Sequence, residues 1–170
     1  RGMYLRLIRT LDFLTLLPEW DGKRILVIGE SQGGGQALAA AGLDPRVSAV
    51  VATVPAMCDW GGTLAGRKGG WPQPFEQAGD VNKMKSVLPY FDTAHLLKDS
   101  KATIVVEIGL ADSICHSTSV YAAINQAKGT KIIYPVPYRE HTWPTAEQRK
   151  THWDPMVFNP KNDFVENYLK

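Results

Sequence analysis

Apolar side chains recur every three or four positions between residues 3 and 16, with charged side chains between them. This spacing places the apolar positions on one face of a helix. Pro18 follows the run and cannot continue a helix. The pattern therefore predicts an amphipathic helix at the start of the chain.

Short unbroken apolar runs then alternate with helical patterns. Runs without polar interruption are typical of strands buried on both faces of a parallel sheet. We predict strands over 25–28, 47–54, 103–108 and 131–136, and helices over 36–42 and 117–128. Alternating strands and helices predict an α/β fold with a mostly parallel sheet.

The segment between the second and third predicted strands is rich in glycine and proline. Residues 58–100 contain Gly61-Gly62, Gly69-Gly70 and Trp71-Pro72, with a short helical pattern over 81–88. We interpret this segment as an insertion within one domain that spans residues 1–170. It fits either a lid or pocket wall, or a solvated connection.

Composition and charge exclude several classes of function. The chain has 170 residues, 44% of them hydrophobic, and a formal net charge of +2, so neither nucleic acid nor an anionic membrane surface is an expected partner. No apolar stretch approaches the length of about 20 residues that spans a membrane. Cys58 and Cys115 are too few and too far apart for a disulfide framework.

The clearest chemical motif is Gly29-Glu30-Ser31-Gln32-Gly33, which fits G-x-S-x-G and joins a predicted strand to a predicted helix. In this context the serine lies on a sharp turn that lifts its hydroxyl above the sheet. The next residues, Gly34 and Gly35, each cost a helix about 1 kcal/mol relative to alanine. Close packing against a strand, or close approach of a substrate, would offset that cost.

A phosphate-binding loop is the competing interpretation of these glycines. Their positions at 29, 33, 34 and 35 match neither GxGxxG nor GxxxxGK followed by Ser or Thr. We therefore interpret Ser31 as a nucleophile. A serine hydroxyl needs an imidazole to remove its proton and a carboxylate to orient that imidazole.

On this fold the carboxylate and then the histidine follow the serine along the chain, each after a later strand. Asp112 comes just after the third predicted strand and His141 just after the fourth, so both meet the requirement. Asp112 could instead cap the following helix. Glu107 is a weaker candidate because it lies within a strand.

The other histidines do not meet the order or the strand-end requirement. His95 precedes the third strand, His116 opens a helix, and His152 lies in a polar C-terminal stretch. Neither an HExxH motif nor a local cluster of cysteine and histidine is present, so we expect no metal site.

The chain resembles the acetyl xylan esterase and cephalosporin-C deacetylase family of carbohydrate esterases. The matching stretches are 18–25, the extended motif 29–35 with the alanines that follow it, 54–58 and 109–115. The resemblance implies the C-terminal half of an α/β-hydrolase that removes acetyl groups from xylan or xylo-oligosaccharides without a cofactor. By position it implies Ser31, Asp112 and His141 as the catalytic triad.

The chain departs from the family pattern in two places. The family usually continues with Glu-Gly-Gly after the histidine, where this chain has Thr142-Trp143-Pro144, and His116 stands where proline is usual. The substrate therefore stays open between an acetylated carbohydrate and another ester, a lactone or a peptide. The alternative to an enzyme is a binding module that keeps the serine turn but does not catalyse a reaction.

One donor to the oxyanion should be the backbone N–H of Gln32, the residue after the nucleophile. The second donor normally comes from a loop after an earlier strand, and only a helix and a turn precede Ser31 here. The strand at 25–28 would also be left with an open edge. We therefore predict a longer native chain or a partner chain that covers this edge, and a homo-oligomer stays open.

Overall fold

Four parallel strands form one sheet in the computed structural model of the chain, which describes residues 2–142 and 145–170. The strands are β1 (Leu26–Glu30), β2 (Ala49–Thr53), β3 (Thr103–Gly109) and β4 (Lys131–Val136). Their order in space is their order along the chain. Leu26 pairs with Ala49, Ala49 with Thr103, and Ile104 with Lys131. Trp143, Pro144 and the side chain of His152 lie outside the described part.

The two central apolar runs form strands that are covered on both faces. Every residue of β2 is buried, and all of β3 after Thr103 is buried as well. Side chains of both strands join the main hydrophobic core, where they meet the helices on the sheet. The predicted α/β fold with a parallel sheet flanked by helices is thus confirmed.

The helices that cover the sheet are α1 (Gly2–Leu14), α2 (Gln32–Leu43) and α5 (Ser117–Ile124). Helix α2 packs on β1 and β2 and on α1. Three of its alanines, Ala37, Ala40 and Ala41, lie in the main core, and their small side chains let its backbone approach the sheet. Helix α2 begins directly after Ser31, four residues before the predicted start, because two of the glycines after Ser31 pack against the end of β2.

The segment between β2 and β3 contains several short helices. These are 3-10 turns at Trp60–Ala65, Leu88–Tyr90 and Leu97–Asp99, with α3 (Val81–Val87) and α4 (Thr93–Leu96) among them. The buried Asp92 carboxylate accepts hydrogen bonds from the backbone N–H groups of Asp59, Trp60 and Ala94. Its burial raises the pKa of Asp92 above the usual range. One buried carboxylate therefore joins both ends of the segment.

The polar C-terminal stretch, for which the sequence predicted no element, is helical. Helix α6 (Ala146–Gln148) continues through a π-helical stretch at Arg149–Phe158 into α7 (Asn159–Leu169). Pro155 lies inside the π-helical stretch and Pro160 in the first turn of α7. Wider π turns accommodate a residue that donates no backbone hydrogen bond. The prolines that suggest an interruption are thus built into a continuous helix.

Strand β1 is an edge strand, as the sequence indicates. Within residues 2–142 and 145–170 it pairs only with β2. Ile28, in the middle of this strand, is 59% exposed. An exposed apolar edge is a surface on which further chain readily pairs. None of the helices in the described ranges is long and apolar enough to cross a membrane.

Candidate active site

Ser31 occupies the sharp turn between β1 and α2. Its backbone has φ 52° and ψ −118°, a conformation that side chains other than glycine rarely adopt. The Ser31 N–H donates to the carbonyl of Thr53 at 2.9 Å, and the Ser31 carbonyl accepts from the N–H groups of Gly35 and Ala56. The strained turn is therefore held by the next strand and by the first turn of α2.

Three of the four glycines around Ser31 are in close contact with neighbouring chain, whereas Gly33 has open space beside it. A Cβ atom on Gly29 would lie 2.2 Å from the carbonyl oxygen of Gly33, and one on Gly35 would lie 2.4 Å from that of Ala56. A Cβ atom on Gly34 would approach Pro55 to 3.1 Å. Packing of α2 against the end of β2 is thus the reason for Gly34 and Gly35. The sequence allowed either close packing of the helix or close approach of a substrate, and the structure shows close packing.

Asp112 lies in the loop that follows β3, and its carboxylate is buried. Its Oδ1 accepts the backbone N–H groups of Ile114 and Cys115, each at 2.8 Å. Helix α5 begins later, at Ser117, with His116 as its N-cap residue. Asp112 therefore stabilises its own loop and does not cap the helix, and its second oxygen is directed elsewhere.

His141 connects this carboxylate to the serine. Its Nδ1 lies 2.9 Å from Oδ2 of Asp112, and its Nε2 lies 2.8 Å from Oγ of Ser31. The imidazole is 24% exposed, whereas the Asp112 side chain is fully buried. If Nδ1 carries the proton and donates it to Asp112, Nε2 is left free to accept the serine proton. The structure thus brings the three predicted side chains into one hydrogen-bonded series.

Gln32 is the first residue of α2, directly after Ser31. The N–H groups in the first turn of a helix have no acceptor within that helix, so they point outward from its end. The Gln32 N–H, which the sequence predicts as an oxyanion donor, is one of these first-turn groups.

Cys115 lies beside the site, which the sequence did not indicate. Burial, followed by the nearby Asp112 carboxylate, raises the pKa of its thiol to about 12, although a hydrogen bond with Ser31 opposes the shift. The thiol therefore stays protonated near neutral pH and is a poor competitor of Ser31 as nucleophile. Cys58 and Cys115 are both buried and free.

The fold also brings together a group of potential metal ligands that is not local in sequence. Donor atoms of Asp112, Cys115 and His141 all lie within 4.8 Å of one another. The prediction of no metal site rested on the spacing of ligands along the chain, which does not show this group because His141 is 26 residues from Cys115. These groups already bond within the protein: Asp112 binds His141 and two backbone N–H groups, and Cys115 remains a thiol.

A buried charge network around Glu107 joins β3, the loop after β4 and the C-terminal helices, and its partners were not predicted from the sequence. Glu107 of β3 has no exposed surface and binds Arg139 Nε at 3.1 Å, Trp153 Nε1 at 2.8 Å and the ammonium group of Lys161. Lys161 also donates to the Thr53 hydroxyl at 2.9 Å. A charged residue within an apolar strand implies a buried partner of opposite charge, so Glu107 itself was the feature of the sequence that pointed to this network.

Known proteins match most of the chain. The family model described as acetyl xylan esterase matches residues 1–155. Acetyl esterase Axe7A from Xylanibacter ruminicola is 36% identical over 153 residues, which cover 89% of this chain and 34% of that protein.

Two solved structures share the fold of this chain. An acetyl xylan esterase from Paenibacillus sp. R4 is 30% identical with a TM-score of 0.78, and the match covers 97% of this chain and 52% of that one. Acetyl xylan esterase 1 from Thermoanaerobacterium sp. JW/SL YS485 is 26% identical with a TM-score of 0.74, over 97% and 50% of the two chains. The chain thus spans about half of these structures and about a third of the relative from Xylanibacter.

Proposed function

Because this chain belongs to the acetyl xylan esterase family, we propose that it carries the nucleophile, base and acid of an esterase that removes acetyl groups from xylan or xylo-oligosaccharides. The observation that carries this proposal is the hydrogen-bonded series from Ser31 through His141 to Asp112. The order of these residues along the chain, Ser, Asp and His, is that of α/β-hydrolases.

The proposed reaction begins when Nε2 of His141 removes the proton of the Ser31 hydroxyl. The oxygen attacks the acetyl carbon, and the resulting imidazolium is stabilised by Asp112. The bond between the acetyl carbon and the sugar oxygen then breaks, His141 gives its proton to that oxygen, and the sugar leaves as an alcohol while the acetyl group stays bonded to Ser31. Water, deprotonated by His141, attacks this acyl-enzyme; the bond to Ser31 breaks, acetate is released, and His141 returns the proton to the Ser31 oxygen. The cycle needs no cofactor.

In this cycle the developing oxyanion would be bound by the backbone N–H of Gln32. A second donor belongs to a loop after an earlier strand, and the described residues before β1 form only helix α1 and the turn that follows it. Loss of one such donor typically costs about 3 to 4 kcal/mol of transition-state stabilisation. The same earlier strand would pair with the exposed edge of β1. That the chain spans only a third to a half of its relatives supports this view.

We accordingly propose that further chain, or a partner chain, covers the edge of β1 and completes the oxyanion site. Expressed alone, residues 1–170 should self-associate through this edge. Their rate of acetyl ester hydrolysis should be lower than that of the full-length protein by about 100-fold or more. A stable monomer of these 170 residues with full activity would contradict the proposal.

The proposed function is tested by covalent labelling of the full-length protein with a fluorophosphonate. An activated serine attacks this reagent, so we expect one phosphonyl group on Ser31, located by peptide mass spectrometry, and parallel loss of esterase activity. Ser31→Ala should not be labelled. Labelling elsewhere, or no labelling of a folded protein, would favour the binding-module alternative.

The same protein distinguishes a deacetylase from a general esterase. A pocket shaped for acetate should prefer acetyl over butyryl aryl esters by roughly tenfold or more, because the two extra methylenes must be accommodated. Acetate release from acetylated xylo-oligosaccharides then tests the carbohydrate itself. Equal rates on both aryl esters would favour the broader substrate class.

A further inference from the structure

Arg139 lies three residues beyond the end of β4 and two residues before His141. Its side chain has no exposed surface, although most of the loop around it is exposed or half-buried. Its Nε binds the equally buried Glu107 at 3.1 Å. A guanidinium held by a buried carboxylate is fixed in position, because its planar donors match the carboxylate geometry.

The same guanidinium organises the loop that carries His141. Its Nη1 donates to the carbonyls of Glu140 at 2.9 Å and His141 at 3.2 Å, and also to that of Thr142. Three consecutive carbonyl groups that converge on one cation define the path of the backbone between them. Because only two side-chain torsions separate the His141 imidazole from the backbone, the path of the backbone largely determines where the ring lies.

Arg139 also contacts the segments that carry the other two residues of the series. Its backbone carbonyl accepts the N–H of Ala111, the residue before Asp112, at 3.2 Å. Its Nη2 lies 3.5 Å from Oε1 of Glu30, the residue before Ser31. Gly109, at the end of β3, leaves space for it, since a Cβ atom there would lie 2.5 Å from the Arg139 carbonyl oxygen. One buried residue therefore joins all three segments.

We propose that Arg139, fixed by Glu107, is a positioning residue for the proposed ester hydrolysis: it holds the His141 loop in register with the segments of Ser31 and Asp112. This inference rests on the proposed function. Arg139 acts through the backbone of residues 140–142 and does not touch the reacting atoms. Reacting groups displaced by about 1 Å can lose about 100-fold in rate, so such a scaffold affects turnover directly.

The test uses Arg139→Lys and Arg139→Met in the full-length protein. Lysine keeps the positive charge, but its single nitrogen cannot bind Glu107 and the carbonyls of residues 140–142 at the same time, as Nε and Nη1 of the guanidinium do. We expect kcat on an acetyl ester to fall by about 100-fold in both variants, with KM within about threefold of the wild-type value. The rate of fluorophosphonate labelling at Ser31 should fall in parallel.

Rescue by guanidinium provides a readout that a purely structural role would not move. In Arg139→Ala, free guanidinium at tens of millimolar should enter the vacated space and raise kcat by about tenfold or more. Sodium chloride at the same ionic strength should not. If all three variants are unfolded and guanidinium restores nothing, Arg139 serves folding only and the proposal is overturned.

Lys161→Met is the matched control, because Lys161 binds the same Glu107 from α7 and its other hydrogen bond goes to Thr53. We expect a lower thermal midpoint but a kcat within about threefold of wild type. Equal losses of kcat in the Lys161 and Arg139 variants, or full kcat in Arg139→Met, would overturn the positioning role. A wild-type protein without esterase activity or labelling would instead contradict the proposed function, and the inference with it.

Discussion

Replacing His141 by alanine should lower kcat/KM on an acetyl ester by about ten-thousandfold in the full-length protein. The change removes the group that lies 2.8 Å from the Ser31 hydroxyl and would accept its proton. The imidazole is partly exposed and not part of the hydrophobic core, so the fold should persist. Initial rates over a range of substrate concentrations measure the effect, with circular dichroism as the check on folding.

His95→Ala is the control for this prediction. His95 lies on α4, exposed, in the segment between β2 and β3. Its removal should leave kcat/KM within about twofold of wild type, because surface substitutions away from the site have small effects. If His95→Ala inactivated the protein and His141→Ala did not, the assignment of the base would be wrong.

Glu107→Gln should lower the free energy of unfolding by about 3 to 5 kcal/mol. The amide has nearly the same size as the carboxylate, but it leaves the buried Arg139 and Lys161 cations without their anion. Burial of an uncompensated charge is among the most costly single changes in a protein. Chemical denaturation of the full-length variant and wild type, with comparison of their m values, measures the loss.

Asp99→Asn tests whether any lost ion pair has this effect. Asp99 pairs with Lys128 at 2.6 Å, yet both side chains are largely exposed. Water and salt screen such a pair, so the denaturation midpoint should stay nearly unchanged. If the two variants lost the same stability, burial of the Glu107 network would not be what makes it important.

The α/β fold and the positions of Ser31, Asp112 and His141 could be predicted because their signals are local. Each strand is an apolar run of fixed length, and the serine turn carries its glycines within five residues. In this fold the acid and the base each follow a later strand, so both can be found from their positions along the chain. The predicted strands and helices recur with boundaries that differ by at most four residues, whereas the C-terminal helices from Ala146 to Leu169 were not predicted.

The partners of Glu107 could not be predicted, because they come from distant parts of the chain. Arg139 is 32 positions away and Lys161 is 54 positions away, in a helix whose prolines suggest an interruption. The sequence does show that a carboxylate lies in a buried strand. It does not show which of 19 lysines and arginines neutralises it.

The proximity of Cys115 to His141 was missed for a related reason. Cys115 follows Asp112 by three residues, but His141 reaches both only through the loop after β4. A search for metal ligands by spacing along the chain cannot find a group assembled from two loops. The same assembly is what makes the hydrogen-bonded series from Ser31 to Asp112 possible.

The order of the strands has a consequence for synthesis on the ribosome. Because each new strand pairs with the one made just before it, the sheet can grow at one edge as the chain emerges. Ser31 and His141 are 110 positions apart, so they are synthesised on the order of ten seconds apart. During that interval the serine has no base beside it. A nascent chain therefore carries a latent hydroxyl, which becomes a nucleophile only when translation has passed β4.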